Sequence, residues 1–168
     1  MELMFPVAIF VGVPIAIILT FITLKRKDVY QKGTKVAILL MNCIEWLPLY
    51  FGILKAGCIA VPMNFRYSSD EIKYCLDLAD VEVLVFGPEF VSRIDTIAND
   101  LGNVKTLFFV GKDAPEYSED CLKLTGYCSS SAPPVALCEE DYAAIYFSSG
   151  TTGFPKAILH NHKALVCS

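Results

Sequence analysis

The chain has 168 residues and a formal net charge of −4 at pH 7; 54% of it is hydrophobic and 19% charged. That length suits one ordinary domain with its own core, and the apolar fraction is above that of a typical soluble domain. The basic residues are scattered apart from Lys25-Arg26-Lys27, which excludes a nucleic-acid surface, because a phosphate backbone demands a clustered excess of Lys and Arg.

Much of the apolar excess sits at the N-terminus. Leu3–Leu24 carries no charge, and Thr20 and Thr23 are its only polar side chains. A helix of that length reaches about 33 Å, enough for a bilayer's hydrocarbon core. Pro6, Gly12 and Pro14 are tolerated in membrane helices. The basic cluster follows directly, and the positive-inside rule then faces the C-terminal side to the cytoplasm. Residues 1–27 are therefore expected to form a transmembrane helix with a basic cytoplasmic flank, with the membrane as a partner and residues 28–168 cytoplasmic. Other readings stay open. A cleaved signal peptide wants its basic residues ahead of the apolar core, the reverse of the order here. A buried core helix has the same composition. If the apolar segment is not native, the chain is simply cytoplasmic.

Seven cysteines are spread along the chain, and no two have C-x-x-C spacing. That argues against a zinc or redox site. Several lie in apolar runs, where cysteine behaves as a small hydrophobe, and a reducing setting fits residues 28–168 best.

From Lys32 onward, short apolar runs alternate with amphipathic stretches, the pattern of βαβ units in an α/β fold. Val36–Leu40 reads as a strand buried on both faces. Asn42 and Glu45 are spaced as a capping box for the next helix. Ile44, Leu47, Phe51 and Leu54 share one of its faces, while Trp46, Leu49 and Ile53 lie elsewhere, so wide burial is expected, with Trp46 in the core. Pro48 predicts a kink or a cost of about 3 kcal/mol if it lies beyond the first turn. Gly57 ends the helix. Ile59–Met63 is a second strand. Ser68 and Glu71 form a capping box for a helix that buries Ile72, Cys75, Leu76 and Ala79.

Val81–Phe86 is a third strand. Pro88 suits the first turn of a helix with Val91, Ile94, Ala98 and Leu101 inward. Thr106–Val110 is a fourth strand. Lys112–Asp141 reads as a long polar surface connection, with Glu139-Glu140-Asp141 as a solvated strand entrance. Ala143–Ser148 returns to strand. His160 and His162 form an H-x-H pair, for which polar packing outweighs metal binding because no third ligand lies near in sequence. There is no internal repeat.

The most informative stretch is Ser148-Ser149-Gly150-Thr151-Thr152-Gly153-Phe154-Pro155-Lys156. Its hydroxyls can donate to phosphate oxygens. Gly150 and Gly153 let backbone N–H groups approach an anion. Lys156 adds a mobile positive charge, and Pro155 limits the freedom of the bend. A strand precedes it, so it belongs at a carboxyl end of the sheet, where α/β folds bind ligands. It is not a Walker A loop, which needs G-x-x-x-x-G-K-[ST].

This string resembles the phosphate-loop signature of the adenylate-forming superfamily, which includes acyl- and aryl-CoA synthetases, peptide-synthetase adenylation domains and firefly-type luciferases. Ser149, Gly150, Thr151, Thr152, Gly153, Pro155 and Lys156 match its usual form. Phe147 stands where an aromatic is usual, Ser148 where threonine is usual, and Ala157 replaces the usual glycine. Glu140–Ile145 is similar to the family's lead-in strand, and His162 falls where a histidine commonly precedes the next helix. Lys32–Leu40 resembles the first strand, and Gly52–Gly57 with Val61–Asn64 the helix–strand passage after it.

The resemblance implies a partial doubly wound sheet from the N-terminal domain of such an enzyme over 28–168, preceded by an apolar helix. It also implies ATP-dependent activation of a carboxylic acid, fatty acids being expected, as acyl-AMP, with transfer to coenzyme A. Ser148, Ser149, Gly150, Thr151, Thr152, Gly153 and Lys156 would hold the nucleotide phosphates beside Mg2+. The family's later motifs are not in the chain, which is expected to be inactive alone. The second reading is a non-catalytic, membrane-anchored module that binds nucleotide or serves as a scaffold.

Overall fold

The computed structural model describes residues 31–121, 135–148 and 155–167. Its elements are β1 (Lys35–Leu39), α1 (Trp46–Lys55), β2 (Ile59–Pro62), α2 (Ser69–Leu78), β3 (Val83–Phe86), a 3-10 turn (Pro88–Phe90), α3 (Val91–Ile97), β4 (Thr106–Phe109), β5 (Glu119–Asp120), β6 (Tyr142–Ser148), β7 (Lys156–Asn161) and α4 (His162–Cys167). The strands form one sheet in the order β5-β4-β3-β1-β2-β6-β7. Every pairing is parallel except β6 with β7.

β1 sits near the middle, with Ala37 opposite Val61 of β2 and Leu84 of β3. Side chains alternate between faces along a strand, and both faces are covered. Ala37 and Leu39 pack with Leu84, Phe86 and the buried faces of α2 and α3. Val36 and Ile38 pack with Val83, Val85 and Leu49, Tyr50 and Ile53 of α1. Helices on opposite faces of a largely parallel sheet make the α/β doubly wound layout expected from the sequence.

The capping box on α2 is present: the Glu71 N–H donates to Ser68 Oγ at 3.3 Å, and the Ser68 N–H donates to Glu71 Oε2 at 2.8 Å. Gly57 closes α1 with φ +73°. The Gly57 and Cys58 N–H groups donate to the carbonyls of Leu54 and Ile53, a Schellman ending that needs the left-handed backbone glycine allows. A Cβ on Gly57 would also lie 2.8 Å from Val135.

Other expectations are corrected. Helix α1 starts at Trp46 with Glu45 at its N-cap and no side-chain cap hydrogen bond, so Asn42 and Glu45 form no capping box. The late start puts Pro48 in the first turn, where its missing N–H removes no helical bond; the first closes from Leu49 to Glu45 at 3.0 Å. Burial of α1 falls on Pro48, Leu49, Tyr50, Gly52 and Ile53, whereas Ile44, Leu47 and Phe51 are exposed. The polar connection after β4 contains β5, a two-residue strand beside β4. The last strand pair, β6 with β7, is antiparallel.

The apolar helix expected ahead of the sheet is not shown: Leu3–Leu24 lies outside the described residues. Among the described residues no helix is long and apolar enough to cross a membrane.

Leu84, buried on the α2–α3 side of β3, reports on the core. Leu84→Ala should cost about 2–5 kcal/mol through lost burial and a residual cavity, read as a lower urea midpoint with unchanged slope.

Candidate functional site

β1–β4 and β6 are aligned in parallel, so their carboxyl ends share one edge of the sheet. The segment after Ser148 leaves from that edge, as the sequence predicts. β7 then returns antiparallel, with Lys156 directly opposite Ser148. The two ends of the bend over 149–155 are therefore held one strand spacing apart, about 4.5–5.5 Å between Cα atoms. Ser148 is half-buried, Pro155 is buried and Lys156 is exposed. Of the expected phosphate-binding set, Ser148 and Lys156 are placed and brought face to face. Ser149, Gly150, Thr151, Thr152 and Gly153 lie outside the described residues.

Alternation along β6 sends Tyr146 to the α1 side of the sheet and Phe147 to the other. The Tyr146 and Tyr50 hydroxyls share a hydrogen bond of 2.6 Å. Trp46 stacks on Tyr50 with ring centroids 5.5 Å apart, and His160 of β7 meets Tyr146 edge-on at 5.3 Å. Burial, reinforced by the Tyr146 bond, pushes the Tyr50 phenol well above its usual pKa. The pair is thus a strut between α1 and the hairpin, two residues short of Ser148. The signal for it in the sequence was the strand period of β6, which puts Tyr146 on the opposite face from Phe147.

The other end of the hairpin is tied at Asp141. Its carboxylate lies 2.6 Å from Lys32 Nζ and accepts the Cys138 N–H at 2.8 Å. Its carbonyl accepts the His162 N–H at 3.0 Å. Asp141 is thus a paired anchor rather than a solvated strand entrance. His160 and His162 are parted by secondary structure, one in β7 and the other opening α4. No group of three or more His, Cys, Asp or Glu residues among the described residues could hold a metal ion.

A cleft of about 230 Å³ opens at the carboxyl ends of β1, β3 and β4, with Asn42, Cys43, Glu45, Gly87, Glu89 and Gly111 in its wall. It sits where connections leave β1 and β3 in opposite directions, the switch point at which open α/β sheets bind ligands. Sequence reading missed it because it is assembled from three separate loops. Glu45 and Glu89 make it a poor seat for phosphate, while Lys156, three strands beyond β1, carries the opposite charge.

The family described as AMP-binding enzyme matches residues 23–168. The chain belongs to the AMP-binding enzyme family. It is 32% identical over 84% of its length to 4-hydroxybenzoate–CoA/benzoate–CoA ligase of Rhodopseudomonas palustris, covering 26% of that protein. It is 33% identical over 79% of its length to a medium/long-chain-fatty-acid–CoA/3-oxocholest-4-en-26-oate–CoA ligase of Mycobacterium marinum, again covering 26%. The chain thus spans about a quarter of the length of these relatives. Among solved structures, the anthranilate CoA ligase AuaEII in complex with anthranoyl-AMP superposes with a TM-score of 0.84 at 27% identity, covering 91% of this chain and 29% of that one.

The membrane-anchored location expected for this AMP-binding enzyme is corrected. The family match begins at residue 23, inside the apolar segment, the matching relatives are CoA ligases, and no described helix can cross a bilayer. The expectation rested on hydropathy, and an uncharged apolar run is equally the composition of a segment buried in protein.

The Asp141 tie should show in acid. Its hydrogen bond from Lys32, followed by that from the Cys138 N–H, draws the carboxyl from 3.8 down to about 2. A carboxyl depressed on folding contributes stability that is complete above its unfolded pKa and disappears as pH falls through its folded one. Tm should therefore drop between about pH 4 and pH 2, and Asp141→Asn should flatten that part of a Tm-against-pH profile.

Proposed function

We propose that this chain supplies the phosphate-gripping part of an ATP-dependent, AMP-forming acid–CoA ligase. The observation that carries the reading is the closed β6–β7 hairpin, which sets Lys156 opposite Ser148 at the ligand-binding edge of the sheet. The family membership and the CoA ligases among the relatives support the same reaction.

In the first half-reaction a carboxylate oxygen attacks the α-phosphorus of ATP. The bond to the bridging oxygen breaks, and pyrophosphate leaves with that electron pair. In the second, the sulfur of coenzyme A attacks the acyl carbon, AMP leaves, and the thiol proton passes to solvent. The protein's part in the first step is electrostatic: fixed donors meet charge that grows on the departing pyrophosphate. Ser148, Ser149, Thr151 and Thr152 donate hydrogen bonds. Gly150 and Gly153 permit close backbone contact. Lys156 neutralises charge as a mobile ammonium rather than a rigid fork, which suits a group that must release its product. Mg2+ arrives on the phosphates as part of the nucleotide substrate.

The acid is a small carboxylic acid. Named relatives act on aromatic and on medium- and long-chain acids, and the family resemblance favours a fatty acid. The tyrosine strut holds α1 against the hairpin while the bend takes up and releases phosphates.

Lys156→Ala tests the reading. A hydrogen bond to a charged group is worth about 1.5–3 kcal/mol, so calorimetric titration with Mg·ATP should show an affinity about 10–100-fold weaker. Unchanged affinity for Mg·ATP would remove the basis of the assignment.

A further inference from the structure

The carboxyl end of β6 runs past the strand that anchors it. β6 joins β2 in a register that pairs Ala60 with Ala144. Carried forward, that register sets Ser148 opposite Asn64, beyond the end of β2 at Pro62. Over this stretch β6 is laddered to β7, through Ile145–Leu159, Tyr146–Ile158, Phe147–Ala157 and Ser148–Lys156. Among the described residues β7 is itself the outermost strand. Two strands by themselves are marginal in water, so the place of Lys156 has to be fixed from outside the ladder.

The tyrosine pair supplies that fix, on the face where Lys156 emerges. Residues opposite one another in a ladder share a face, as do residues two apart along a strand. Tyr146, Ser148, Ile158, Lys156 and His160 therefore all lie on the α1 side of the hairpin. There the Tyr146 hydroxyl meets that of Tyr50, 96 residues away in sequence, at 2.6 Å. Tyr50 is buried on α1, and its ring is stacked on Trp46 and meets Phe51 edge-on. Two phenylalanines would pack as well, since replacing both partners of a hydrogen bond by apolar groups of the same shape is close to neutral for stability. What the hydroxyls add is direction and distance: a satisfied polar contact specifies one arrangement where apolar contact tolerates several. Neither tyrosine belongs to the Ser148–Lys156 string.

Given the phosphate-binding role proposed for Lys156, on which this rests, we propose that Tyr50 and Tyr146 are positioning residues for it. Through their hydrogen bond, α1 sets where the ammonium stands at the edge of the sheet. Neither hydroxyl touches the nucleotide; both act through the backbone of β6 and its ladder to β7.

Calorimetric titration of the full 168-residue chain with Mg·ATP tests this. Tyr50→Phe and Tyr146→Phe each keep the ring and remove one hydroxyl. Each should weaken binding about three- to tenfold, the range set by one neutral hydrogen bond. The double variant should bind no more weakly than the weaker single one, because the same bond is lost in all three. It leaves no unpaired hydroxyl, so it also replaces either single variant that does not fold. Urea midpoints close to that of the unaltered chain separate misplacement from unfolding. In a Lys156→Ala background, Tyr50→Phe should change affinity by less than about twofold, the margin for independent sites, since the group it positions is gone. A merely structural role would weaken binding equally with and without Lys156. That equal loss, or unaltered affinity in both single variants, would overturn the positioning role, while a weakened Lys156→Ala keeps the phosphate reading. Unchanged affinity in Lys156→Ala would overturn both.

Discussion

Strand β1 has no face of its own to give to water, and the rest of the structure follows from that. Val36, Ala37, Ile38 and Leu39 are all buried, so each side of the pleat needs a layer. Connections that start at β1 and β3 must run to opposite flanks to supply them, with α1 covering one face and α2 and α3 the other. Parallel pairing is the price of that crossover scheme, and it collects the carboxyl ends of six strands along one edge. The candidate site lies on that edge because burial demanded parallel strands.

Against this frame the β6–β7 hairpin is the exception, and the chemistry is assigned to it. It reverses direction where another helix might have followed. Its ladder brings the first and last described residues of the bend into register. It is braced at one end by the Tyr50–Tyr146 hydrogen bond and at the other by the Lys32–Asp141 pair. Both braces join segments distant in sequence, so the hairpin's position is set by the domain rather than by its own turn.

The architecture was legible wherever a local rule decided the outcome. Strands β1 to β4 follow short β-branched and aromatic runs. The Ser68–Glu71 box and the ending at Gly57 follow from side chains that satisfy backbone groups within one turn. What could not be read depended on partners far along the chain. Leu47 and Phe51 and the pair Leu49 and Ile53 are equally apolar, and only the position of the sheet decides which pair turns inward. Two residues at Glu119–Asp120 carry no strand signal; they become one because β4 offers an open edge. The H-x-H pair does not share one element, because the backbone changes from strand to helix between His160 and His162. Within the site, the motif named Ser148 and Lys156, and the register showed them opposed. Tyr50 and the loops that wall the cleft emerged only with the fold.

The reversal at Ser148 also determines what kind of grip an anion meets there. In phosphate loops that lead straight into a helix, the axial dipole points at the ligand and needs no side chain. Here a strand follows, and at the described ends of the bend the positive charge is the exposed ammonium of Lys156. Charges separated across open solvent are screened within about 8 Å at physiological ionic strength. Under the proposed function, a polyanion on this edge would be held in part by a contact that dissolved salt can weaken, a property suited to binding one phosphate ester and letting another go.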